Sequence, residues 1–310
     1  MGGILWLQGR DEEAMDEVRK SIELDPELVF NNLRMGMWAA YDFGRLDEGI
    51  INFRKAYSLD PENSGPTMQI AGMYINLGAS EEALAWVERL LELSPTSTWA
   101  WFAAHQAHTY FGDNNAPLEY AERALELAPR NEWALRAIGT RDIEEGHVDL
   151  ALERWPRAYP VLATSDNQVV DDTSIRTALF FAQNLMAAGE AERARRLLHG
   201  CLDALRIWRR ESFVRESYVH EFEPEIYASM GQTEETLEAL RRAIVDGHYR
   251  SVPMWYDLPV YDFIRDEPEF QELMEILHAD LSEQLERVRE MECNGELAPA
   301  PSVVLEVACN

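Results

Sequence analysis

Apolar residues return at helical spacing in block after block of this chain. Ala83, Val87, Leu90 and Leu91 mark one face, and Ala194, Leu197, Leu198, Leu202 and Leu205 another. Leu237, Leu240 and Ala243 repeat the pattern. The blocks come in pairs with fixed punctuation. Gly44, Gly78, Gly112 and Gly146 lie 34 residues apart and sit where a first helix should end in a left-handed turn. Pro26, Pro61, Pro95 and Pro129, separated by 35, 34 and 34 residues, close phrases such as Ile22-Glu-Leu-Asp-Pro26 and Leu125-Glu-Leu-Ala-Pro129. A period of this size predicts one helix hairpin stacked on copies of itself.

The phase weakens at both ends. The first copy keeps Gly9, Ala14 and Pro26 but lacks most of a first helix, so Ile4-Leu5-Trp6-Leu7 is either a shortened cap or the remnant of an excised longer protein. Pro156 and Pro160 interrupt the fifth second helix, Ala163 stands where a proline is due, and 163–172 reads as an irregular connector. Divergent helices follow at 173–188, 190–210, 217–230 and 233–245. An aromatic, proline-rich run then leads into a helix from about Pro268 to Cys293, with Asp266 as its expected cap and Asn294-Gly295 as its end. The expected fold is all-α: a right-handed superhelical solenoid of about seven antiparallel hairpins plus a C-terminal capping helix, bent near 156–172. Its parts are regular repeats over 1–162, divergent hairpins over 163–247, the aromatic segment and capping helix over 248–295, and a loose tail over 296–310.

Hydrophobic residues make up 46% of the 310, enough for a continuous core. The net charge of −28 argues against nucleic acid and anionic membrane as direct partners, because phosphate binding needs clustered Lys and Arg. Glu outnumbers Asp 38 to 18, as suits solvated helix surfaces, and only Lys20 and Lys55 accompany 26 arginines. Cys201, Cys293 and Cys309 lack metal-type spacing and read as free thiols of a reducing compartment. No apolar run reaches spanning length, which makes a soluble cytoplasmic protein the expectation.

The repeat resembles the tetratricopeptide family. Ala71, Tyr74, Gly78, Ala83 and Pro95 fit its pattern in the third copy, Trp101, Gly112, Ala124 and Pro129 in the fourth, and Gly139, Gly146, Ala151 and Ala158 in the fifth. The second copy fits less well: Gly36, Gly44, Ala56 and Pro61 match, while Met37 and Gly49 replace expected small and alanine residues. The resemblance implies a concave groove lined by the first helix of each pair. Its inner offsets fall on Arg34, Trp38, Tyr41, Gln69, Asn76, Trp99, Phe102, Gln106 and Tyr110, then on Trp133, Arg136 and Thr140, and after the connector on Arg176, Phe180 and Gln183. Such aromatics and arginines suit a bound peptide, and equally suit packing between helices. The Lys and Asn with which chaperone-binding members grip a terminal carboxylate are absent: Arg34, Trp38, Gln69, Trp99 and Ala103 stand there. Leu258, Pro259, Asp262, Arg265, Asp266, Pro268, Phe270, Gln271 and Leu273 resemble the tail of bacterial tetratricopeptide proteins built behind class III adenylate cyclases or winged-helix regulators.

Catalytic motifs are missing: no phosphate-cradling glycine loop, nucleophile elbow or zinc helix occurs. His105 and His108 form half of a metal site at most, with Tyr74 or Asp142 as conceivable company, and packing explains both better. His220 with Glu221 and Glu223, and Cys201 with His199, are pairs expected by chance. The reading is therefore a non-enzymatic scaffold without cofactor or metal, binding a protein or peptide, with self-association left open. Its alternatives are the regulatory region of a cyclase or transcriptional regulator and, further off, an enzyme using the bend as a cleft.

Overall fold

A computed structural model describes residues 1–112, 118–163, 170–171, 174–210, 216–245 and 256–300. Most of the expected connector, part of the aromatic run and the end of the tail lie outside these residues. Within them every regular element is helical. The pairs are α1 (Gly2–Leu7) with α2 (Asp11–Leu24), α3 (Val29–Phe43) with α4 (Leu46–Leu59), α5 (Ser64–Asn76) with α6 (Ser80–Leu93), and α7 (Thr98–Phe111) with α8 (Leu118–Leu127). Then come α9 (Glu132–Glu144) with α10 (Val148–Ala158), α11 (Ile175–Ala187) with α12 (Ala191–Arg210), and α13 (Glu216–Ser229) with α14 (Thr233–Val245). A 3-10 turn, Pro259–Ile264, precedes the last helix, α15 (Pro268–Cys293). The two helices of each hairpin pack most heavily on each other, and successive hairpins pack on one another, which makes a stacked array.

The punctuation acts as its chemistry requires. Asp25, Asp60 and Ser94, each just before a proline, leave the helical region at φ −143°, −148° and −141° and so stop the second helices. Gly44 closes α3 in the left-handed region at φ 67°. Gly112 departs from the expectation: it ends α7 in extended backbone, at φ −93°. Asp266 is not the cap of α15 either, since Glu267 holds that position and makes no side-chain cap bond.

Small residues set the spacing between paired helices. A Cβ at Gly36 would fall 2.6 Å from Cε1 of Phe53 and 3.0 Å from the Gly49 carbonyl oxygen. Gly36→Ala should therefore destabilise the protein by about 1–3 kcal/mol through overpacking, read from the midpoint of urea unfolding. Adding Phe53→Leu should recover part of that loss; failure of both effects would show that α3 and α4 can move apart freely.

Among the described residues the buried apolar side chains form several clusters, two of them large. Leu135, Trp155, Phe180, Phe181, Leu198 and Cys201 form a buried cluster under the divergent hairpins. There Trp155 Nε1 donates to Asn184 Oδ1 at 2.7 Å, and the absent side chain of Gly139 leaves room for that amide. The larger cluster joins Ile50, Phe53, Tyr74 and Trp86 of the early repeats to Leu240, Tyr261, Phe270, Leu277 and Val288 near the other end.

The cause is α15, which packs on α14 and also on α4. Gln284 Oε1 accepts from the Leu46 and Asp47 amides (2.6 and 3.3 Å) while its Nε2 donates to the Gly44 carbonyl at 3.0 Å. One side chain thus satisfies the end of α3 and the unpaired first turn of α4. Arg287 donates to Asp47 at 2.8 Å, and Arg289 to the buried Glu82 at 2.7 Å. Arg54, fully buried, reaches Glu292 with two bonds of 2.5 and 3.0 Å and also donates to the Ala298 carbonyl.

Cys201 is a free thiol, as expected, and burial pushes its pKa up to about 12. Cys293 corrects the expectation of free thiols throughout, because it is disulfide-bonded. Sequence spacing gave no hint of that pairing. No helix among the described residues is long and apolar enough to cross a membrane.

Candidate functional site

First helices contribute their inward residues to one cavity of about 610 Å³, a size typical of binding pockets. Phe102 and Gln106 come from α7, Trp133, Arg136 and Thr140 from α9, and Gln183 from α11. These six are expected groove residues that the fold brings together. Periodicity places them: residues three or four apart share a helix face, and the same face recurs in each hairpin.

The opposite wall is Leu258, Pro259 and Val260. Residues 256–264 approach this cavity from outside the hairpins. They pack on α13, Tyr261 lies within electrostatic reach of Glu225 and Arg136, and Asp257 helps raise the Tyr110 phenol pKa after burial has done most of it. Arg265 braces this turn, donating to the carbonyls of Asp257 (2.6 Å) and Leu258 (3.1 Å) and to Asp262 Oδ1 (2.6 Å). Phe270 and Leu273 anchor its far side in the core. Leu258, Asp262, Arg265, Phe270 and Leu273 thus belong to one braced turn and its anchor.

The aromatic wall is layered. Trp133 lies between Phe102 and Phe180, with centroid distances of 5.0 and 4.6 Å. Phe180 is only 1% exposed and supports the wall from behind, so it is no surface contact. Arg136 sits over Phe180 at 4.6 Å and donates to Glu225 at 3.0 Å. Gln183 donates to the same carboxylate at 2.8 Å and to Ser229 Oγ at 3.2 Å. A buried carboxylate therefore fixes the rotamers of two lining residues, a preorganised arrangement that lowers the cost of ordering on binding.

The remaining expected groove residues lie elsewhere. Trp38 is buried and stacks on Trp6 with centroids 6.0 Å apart, and Arg34 lies over Phe30 at 4.5 Å. Tyr41 donates to Gln69 Oε1 at 2.5 Å, and Asn76 is half-buried near the end of α5. Trp99 is 53% exposed, touching Phe102 edge-on. Tyr110 contacts Phe111. Arg176 donates to Glu221 at 2.6 Å and covers Trp133 at 5.5 Å.

Sequence reasoning passed over several lining residues. Ala137 and Glu144 share the inner phase of α9 and were legible there. Arg141 and Met186 are off that phase, and Leu258–Val260 belong to no repeat. His105, expected to be packing, also lines the cavity. Burial lowers its pKa, and its Nδ1 is enclosed without a hydrogen-bond partner.

The other chemistry considered dissolves into structure. His108 stacks on Tyr120, Asp142 accepts from Arg154 at 2.7 Å, and Tyr74 is buried beside Arg54. Glu223 accepts from Arg209 and Arg242, and Glu221 from Arg176, so neither carboxylate stands ready beside His220 as an acid or base. Among the described residues no group of three or more His, Cys, Asp or Glu is arranged to hold a metal ion.

Two stretches, residues 1–28 and 68–97, match the family model of the tetratricopeptide repeat. No curated protein matches the chain. Among solved structures it is similar to the Cut9-Hcn1 hetero-tetramer of the APC/C, at 12% identity and a TM-score of 0.52. That match covers 87% of this chain and 46% of the other, so the likeness spans under half of the longer protein. It is also similar to YrrB, described as a tetratricopeptide protein with an unusual peptide-binding site (17% identity, 60% of this chain and 91% of that one, TM-score 0.38). A tetratricopeptide protein from Parabacteroides merdae matches at 15% identity over 90% and 99% of the two chains, with a TM-score of 0.40. At these identities what is shared is the fold: an all-helical repeat array.

Proposed function

We propose that this protein is a non-enzymatic interaction scaffold that holds a segment of a partner protein in the cavity between α7, α9, α11 and the Leu258–Val260 wall. The observation that carries the reading is the preorganised wall itself. Trp133 is backed by Phe180 and flanked by Phe102, while Arg136 and Gln183 are held in place by the buried Glu225. Aromatic anchors with fixed polar neighbours are the residue types that dominate interface energetics. Nothing in this arrangement needs a cofactor.

Peptides selected on the intact protein from a random display library test it. Trp133→Ala should weaken their binding by roughly a hundredfold, as for a central hot spot. Trp99→Ala, at an exposed rim position, should change it by no more than a few fold. Selected peptides indifferent to Trp133→Ala and Gln183→Ala would retire the site. Trp38 is unsuited as a probe, since its burial against Trp6 makes its loss a folding defect.

A second reading, the regulatory region of a nucleotide cyclase or transcriptional regulator, draws on the braced turn at 257–266, where the residues of that resemblance meet. An effector domain encoded in the same reading frame ahead of Met1 would support it, and a stop codon there would remove it.

A further inference from the structure

The cavity has two walls, and the second one changes what fits. A groove lined by first helices alone runs on along the array, but here Leu258, Pro259 and Val260, which belong to no hairpin, line the same cavity as Phe102 and Trp133. Tyr256, Tyr261 and Ile264 fix that segment in the core, at 5%, 2% and 0% exposure. A partly open space of about 610 Å³ accommodates one bulky group and its immediate neighbours.

The polar lining is just as selective. In a chain carrying twice as many acidic as basic residues, this cavity is lined by two arginines and one glutamate. Arg136 spends one bond on Glu225. Arg141 has a looser hold: its Nε lies 3.9 Å from Glu144, beyond hydrogen-bond distance, and its side chain is one-third exposed. Its guanidinium therefore keeps planar paired donors suited to a carboxylate. Burial lowers the pKa of His105, which disfavours its cationic form.

Resting on the site proposed above, we infer that the ligand is a bulky apolar group bearing a carboxylate within a few bonds. Its apolar body would lie between Trp133 and Leu258–Val260, and its carboxylate on Arg141. Either the C-terminal residue of a partner chain or a free aryl or alkyl acid presents this chemistry.

Isothermal titration of the full chain with N-acetylphenylalanine and N-acetylphenylalaninamide isolates the carboxylate, since the two differ only there. The acid should bind about tenfold tighter, in line with a charge-assisted hydrogen bond. Arg141→Gln should abolish that preference by weakening binding of the acid, while an unaltered melting curve confirms folding. A short peptide ending in phenylalanine with a free carboxyl, run beside the same peptide amidated, separates the two sources. Tighter binding of the acid peptide than of the free acid assigns a chain terminus, and the reverse order assigns a small molecule. Equal binding of acid and amide, or a preference that survives Arg141→Gln, overturns the assignment. If both probes bind equally and Trp133→Ala weakens both, the interaction site stands and only the carboxylate falls. Should neither these probes nor the display-selected peptides bind, both readings fall together.

Discussion

Replacing Glu292 with alanine should cost about 3–5 kcal/mol of stability, the largest loss expected from any single polar change in this chain. Arg54 is 0% exposed and its guanidinium meets the Glu292 carboxylate with two bonds in parallel. Without Glu292 the cation would stay enclosed with the Ala298 carbonyl, Tyr74 and the face of Trp86 for company, while its Nε already lacks an acceptor. A buried cation with its counter-charge removed is far more costly than no ion pair at all. The double replacement Arg54→Met with Glu292→Leu should therefore recover most of the loss, to within about 1 kcal/mol of the original protein. Urea unfolding of the three proteins decides the matter. A single variant that melts with the wild type would mean the pair is solvated and does not hold α15 to α4.

Trp86→Ala should be comparably damaging, at about 3–5 kcal/mol, because the indole is 0% exposed and leaves a large void. It meets the Tyr57 ring edge-on at 5.0 Å and carries the Arg54 guanidinium 5.7 Å from its own ring. The informative variant is Trp86→Phe. Trp86 Nε1 is buried with no hydrogen-bond partner, so removing it relieves an unsatisfied donor while most of the ring contact survives. That substitution should cost no more than about 1–2 kcal/mol, much less than its loss of volume suggests. A Trp86→Phe variant as unstable as Trp86→Ala would point to an acceptor for the indole N–H.

How much of this was legible in the sequence follows from what kind of interaction made each part. Hairpin and turn positions rest on contacts between near neighbours in the chain. The prolines, Gly44 and the apolar stripes consequently placed fourteen paired helices with little error. Phe102, Gln106, Trp133, Arg136, Thr140 and Gln183, which line one cavity, stand at inner offsets that the tetratricopeptide resemblance implies. Trp38 and Phe180 obeyed the same phase yet are packed away, because phase gives a direction and says nothing of what arrives to cover it. The far wall was out of reach. Leu258–Val260 belong to no repeat, and only the return of the chain onto α7 and α13 makes them part of the cavity. Arg141 was missed for a simpler reason, as it sits one position off the inner face of α9.

Arrays of stacked hairpins ordinarily grow or shrink by whole units, since each unit touches only its neighbours. Here Gln284 seals the junction between α3 and α4 from a position 238 residues further along. Inserting or deleting one hairpin in the middle would carry α15 away from Gly44, Leu46 and Arg54. The number of units is thereby fixed, and this protein should tolerate changes of length in its outward loops far better than any gain or loss of a repeat.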